Sequence, residues 1–201
     1  MLLVVAVVSQ NLAPAVAQRL VAWASTDAHN LQHHPIAALI TSAFWLPSSQ
    51  AWVWAIAVAA ALTTLERRVG TIWTLAAFAG GHVGATLITE LPVVWAVDAK
   101  LLPDADSHWL DVGVSYGLFT VVGALLMMLS LPLRAAAMLA VASCILWMYL
   151  QSDPSELDNV ITVTGHLTSV LIGVLVSGAW LRRLHLVTHS PWLVNSAESP
   201  R

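Results

Sequence analysis

Apolar residues run along this chain in long blocks, broken at charged or helix-breaking punctuation. The blocks predict membrane spans at about 2–18, 51–65, 71–96, 112–131, 135–151 and 160–181. Most of the links between them are short, so neighbouring helices must pack antiparallel in one bundle. The pattern predicts an all-α, polytopic membrane bundle with a six-helix core over 1–190, followed by a short polar tail at 191–201. No internal repeat or low-complexity stretch divides it.

One segment departs from this rhythm. Residues 19–50 mix Trp23, Ile36, Leu39, Ile40, Phe44 and Trp45 with polar residues such as His29, His33 and His34. That mixture predicts an outer loop lying helically in the membrane interface. The first span is also irregular, since it contains Gln10, Asn11 and Pro14. Ala15-Val16-Ala17 resembles a signal-peptidase site, but no basic residue precedes it, as a leader would require.

Composition fixes the solvent. Of 201 residues, 58% are hydrophobic and 9% charged, and the mean hydropathy is +0.78. A chain this size has too little interior to hide so much apolar surface from water. Lipids are therefore its first partners. A net charge of −3 without a basic run excludes nucleic-acid binding. The single cysteine, Cys144, excludes an intramolecular disulfide and a cysteine metal cluster. No metal or cofactor is expected.

Charge also orients the bundle. Arg67 and Arg68, Arg134, and Arg182 with Arg183 follow the second, fourth and sixth spans. Asp98, Asp104, Asp106, Asp153, Glu156 and Asp158 dominate the opposite links. The positive-inside rule then expects both termini in the cytoplasm. Trp52, Trp95, Trp109, Trp147 and Trp180 fall near span ends, as an aromatic belt would place them.

Polar residues inside spans are costly, so they carry the chemical information. Ser115 stands in Gly113-Val114-Ser115-Tyr116-Gly117, and His166 in Thr164-Gly165-His166-Leu167-Thr168-Ser169, with Gly173 beyond. Both spans run inward, which predicts similar depths, a few residues into each helix. The small residues allow the close backbone approach that a Ser–His hydrogen bond needs. A neutral imidazole in a low-dielectric pocket can then take the serine proton. The bland reading also stands: a membrane serine usually bonds its own backbone one turn back. His82, among Gly80, Gly81 and Gly84, reads as a polar contact in a tight helix crossing. Gly-x-Ser-x-Gly also matches the nucleophile elbow of soluble hydrolases, but its place in a long apolar helix rejects that. Asp111 reads as the N-cap of the fourth helix.

Taken in order, these motifs resemble the rhomboid superfamily, in particular compact bacterial rhomboid-like proteins. Leu39-Ile40-Thr41-Ser42-Ala43-Phe44 is similar to the outer segment ahead of the second helix, and Leu65-Glu66-Arg67-Arg68-Val69-Gly70 to the Glu-x-x-x-Gly motif that ends it. Gly113-Val114-Ser115 and His166 with Gly173 are similar to the fourth- and sixth-helix motifs. The resemblance implies an intramembrane serine protease of the bacterial plasma membrane. Ser115 would be its nucleophile, His166 its base, and transmembrane proteins its substrates. It also implies that the Ser115 N–H forms part of an oxyanion hole and that Phe119 walls off lipid. Gly113, Tyr116, Ser169 and Gly173 would support the site. Active members carry Gly after the serine and a His and an Asn at the head of the second helix. This chain has Tyr116 in the first place, and in the second only Gln50 as a nearby amide donor. Losing one oxyanion donor costs about 2.7–4 kcal/mol in the transition state. A catalytically inactive relative that binds transmembrane helices is the alternative.

Overall fold

The computed structural model describes residues 11–46, 51–103, 108–112, 114–151, 153 and 156–188, with the side chains of the last helix described to residue 178. Among the described residues there are eight helices and no strand: α1 (Pro14–Ala24), α2 (Ala28–His33), α3 (Pro35–Ser42), α4 (Ala51–Val69), α5 (Thr71–Asp98), α6 (Ser115–Leu126), α7 (Leu131–Leu150) and α8 (Leu157–Thr188). The all-helical membrane bundle is the architecture the apolar blocks predict. By length and composition α5, α7 and Leu157–Gly178 of α8 are long and apolar enough to cross a membrane.

The boundaries differ from expectation where local chemistry intervenes. The span predicted at 2–18 does not continue as one helix to its end, because a new helix starts at Pro14 behind an extended Ala13. Proline fits a first turn, where its missing N–H has no helical acceptor to lose. The rest of that span lies outside the described residues. The outer loop holds three short helices in place of a single interfacial one. Asp27 starts the second of them, its carboxylate accepting from the Asn30 N–H at 2.9 Å.

The fourth span shrinks most. Expected at 112–131, it forms a helix only over Ser115–Leu126. Twelve residues reach about 18 Å, short of the roughly 30 Å hydrocarbon layer. The helix survives because it is enclosed: nine of its twelve residues are buried, against α4, α5 and α8. Its inner end is capped by Arg134, which donates to the carbonyls of Leu126 and Met127 (3.1 Å each) and Leu129 (3.0 Å). Those carbonyls would otherwise be orphaned at the negative helix end. Arg134→Met is expected to lower unfolding free energy by about 2 kcal/mol. Arg134→Lys should recover little, because an ammonium lacks the planar fork. Thermal unfolding in detergent checks both.

The bundle is apolar outward and small or polar inward. On α8, Leu167, Leu171 and Leu175 are exposed, while His166, Ser169, Gly173 and Ser177 are buried. This is the membrane pattern, in which lipid exerts no hydrophobic squeeze and close backbone contact replaces it. Gly173 lies on the backbone of α6 at Thr120, and Gly123 of α6 on the backbone of α8 at Val170. Between α4 and α5, Gly70 adopts φ +85°, a left-handed turn that favours glycine.

Candidate functional site

Ser115 is the first residue of α6 and is half-buried. This corrects the expectation that it lies a few residues inside its helix. The backbone ahead of it is held by the outer segment. Thr26 donates its N–H to the Asp111 carbonyl at 2.8 Å. Its hydroxyl lies 2.9 Å from that carbonyl and 3.1 Å from Asp111 Oδ2. The Ser25 hydroxyl donates to the Trp109 carbonyl (2.9 Å) and accepts from the Asp111 N–H (3.0 Å). Val114 donates to the Trp45 carbonyl at 3.2 Å. Asp111 is therefore not the N-cap; that position is Val114, with no side-chain cap. The Asp111 carboxyl is engaged by Thr26 and cannot also serve the helix.

Burial pushes the Asp111 carboxyl up to about 6, with the neighbouring Asp27 adding to the rise and a hydrogen bond from Thr26 opposing it. Asp27 is raised too, mainly by burial. The folded chain thus keeps protons at pH values where the unfolded chain has released them. Stability from this latch is full below about pH 4 and is lost as pH rises through about 6. The melting temperature is expected to fall as pH rises from about 4 to about 6, and Asp111→Asn should flatten that slope in a pH-resolved thermal melt.

His166 sits on α8, buried, against α6. The Phe119 ring lies 4.6 Å from it, centroid to centroid, and the Tyr116 ring meets it edge-on at 5.5 Å. Gly165 makes room for Tyr116: a Cβ there would fall 2.3 Å from the ring and 2.4 Å from its hydroxyl. Phe119, which meets the imidazole, is one turn after Ser115 on α6. The structure thus brings Tyr116, Phe119 and His166 together, the first next to Ser115 in the chain and the second one turn after it. It does not bond the pair, because both His166 ring nitrogens are buried without a hydrogen-bond partner among the described residues. Ser169 donates to the Gly165 carbonyl at 2.7 Å, serving its own helix. Gly173 sets the approach of α8 to α6. Gly113 and Gln50 lie outside the described residues.

His82 behaves as a crossing contact. Its Nε2 lies 3.0 Å from the Ser42 hydroxyl and 3.1 Å from the Leu39 carbonyl, which ties α3 to α5. Glu90 is fully buried, and its Oε1 accepts from the Trp109 indole at 3.2 Å. The Ser25–Thr26 latch escaped the sequence reading; the only local signal was the Asp27-x-x-Asn30 capping pair beside it. Among the described residues no group of His, Cys, Asp or Glu could hold a metal ion.

A family profile described as rhomboid-like protein matches residues 1–181. No curated protein and no solved structure matches the chain.

Proposed function

Because the chain belongs to the rhomboid-like protein family, we propose that this integral membrane protein is an intramembrane serine endopeptidase, with Ser115 as nucleophile and His166 as general base. The observation that carries the reading is a buried imidazole whose two nitrogens lack a partner among the described residues, packed on Phe119, one turn along α6 from Ser115. A short side-chain movement closes the pair when substrate arrives, as catalytic hydrogen bonds often tighten only in the complex. The imidazole then takes the hydroxyl proton, and the serine oxygen attacks the scissile carbonyl. The same proton passes to the leaving amine, and water hydrolyses the acyl-enzyme. The first N–H groups of α6 have no acceptor within the helix, and they face the developing oxyanion. Gln50 is the candidate side-chain donor. The substrates are transmembrane proteins cut near their outer ends. The proposal includes a bacterial plasma membrane with both termini in the cytoplasm, on the positive charges at Arg67, Arg68 and Arg134.

The unbonded Ser115–His166 pair, with Tyr116 packed beside the imidazole, also favours a second reading: a non-catalytic protein that binds membrane helices. Co-reconstitution with a pool of single-span proteins in liposomes separates the two. New protein termini near the outer membrane face, absent with Ser115→Ala, are expected. Identical termini with both proteins, or none, would remove the protease reading.

A further inference from the structure

Three carboxyls from three parts of the chain gather where the outer segment meets residues 109–111. Asp27 caps α2, Glu90 lies on α5, and Asp111 precedes Ser115 by four residues. Hydrogen bonds link their surroundings. Asp27 follows Thr26, whose hydroxyl is 3.1 Å from Asp111 Oδ2, and Trp109, two residues before Asp111, donates its indole N–H to Glu90 at 3.2 Å. Glu90 and Asp27 are buried. Among the described residues the hydrogen-bond partners of the three carboxyls are neutral. They are the Asn30 N–H (2.9 Å) and side-chain amide (3.3 Å) on Asp27, Thr26 on Asp111 and Trp109 on Glu90.

Other titratable groups face this contact from both sides. His29 and His108 face Asp27; their rings are 4.3 Å apart, and His33 stacks on His29 at 4.1 Å. Tyr116 of α6 faces Asp111 and Glu90. Within this set only the imidazoles can carry positive charge. Neutral carboxyls pack here without conflict, whereas ionised ones repel one another across the contact. The parts are not equally free to yield. Trp109 stays held, because its N–H bonds a charged Glu90 more strongly than a neutral one. His82 ties α3 to α5 through Ser42 and the Leu39 carbonyl. The Ser25–Thr26 hydrogen bonds to residues 109 and 111 are left to give way. We propose that this contact is a pH-sensitive latch, closed in acid and opened towards neutral pH as α1 and α2 part from residues 109–111 while α3 stays in place. The raised Asp111 carboxyl, which ionises at about 6, sets the same sign: protons hold the latch shut. The movement is independent of whether Ser115 is a nucleophile; its consequence, wider access to the start of α6, rests on the protease reading.

Pulsed electron paramagnetic resonance on the full chain in nanodiscs tests the latch. Spin labels are placed at Leu20→Cys on α1 and Leu175→Cys on α8, both exposed, in a Cys144→Ala background. One narrow distance is expected at pH 5, shifting to a longer and broader distribution at pH 8. With Asp111→Asn and Glu90→Gln added, the distance at pH 8 should remain that of pH 5. With His29→Gln and His108→Gln in their place, the shift should persist. The same distance at both pH values in the labelled parent would overturn the latch, and that reading depends on neither pair of added substitutions. A shift that survives loss of the two carboxyls would also overturn it. So would opening on acidification, or a shift that vanishes without His29 and His108, since either would assign the movement to the imidazoles.

Discussion

Gly173→Ala is expected to pry α8 away from α6 and cost about 3 kcal/mol, the upper end of the overpacking range. A Cβ at this position would stand 2.0 Å from the Thr120 carbonyl oxygen and 2.7 Å from the Ala124 nitrogen. Both are backbone atoms of a helix enclosed on three sides, so no rotamer change relieves the clash. The contact is reciprocal, since a Cβ at Gly123 would stand 2.2 Å from the Val170 carbonyl oxygen. Two helices that meet backbone to backbone at both places can only separate. Gly80→Ala is the control, because its Cβ would meet nothing within 4 Å. There the higher helix propensity of alanine gives a gain of up to about 1 kcal/mol. Thermal unfolding in detergent compares the two. A Gly173→Ala protein that melts with the wild type would contradict this packing of α6 on α8.

The second large effect concerns chemistry. Ser115→Ala and His166→Ala should each lower hydrolysis by roughly a thousandfold or more, and the double variant should be no worse than either single one. Non-additivity is the signature of groups that act as a unit. A purely structural His166 would behave otherwise: its loss would change folding and leave the residual rate dependent on Ser115. Single-turnover rates on a substrate found by terminus mapping, measured beside melting temperatures, separate these cases. Additive losses, or an active Ser115→Ala protein, would contradict the paired role.

Much of this was legible in the sequence. The all-helical bundle follows from long apolar runs, because lipid allows few alternatives to a closed helix. The small-residue frames were legible too: Gly165 receives Tyr116, and Gly173 receives the backbone of α6. What could not be read depends on partners far along the chain. The fourth span begins late because the backbone of Asp111 is claimed by Ser25 and Thr26, more than eighty positions upstream. It ends early because Arg134 folds back on its last carbonyls. Ser42 gave no local sign that it would meet His82, forty residues on. Ser169 beside the imidazole suggested a role in the site, yet its hydroxyl satisfies the nearer carbonyl one turn back.

The central claim is that Ser115 becomes nucleophilic through His166. The most direct measurement is adduct mapping after treatment of the folded, detergent-purified protein with a fluorophosphonate. The account predicts a phosphonylated Ser115 in the wild type and its disappearance in His166→Ala at unchanged fold. An unmodified Ser115, or one modified equally well without His166, would contradict it.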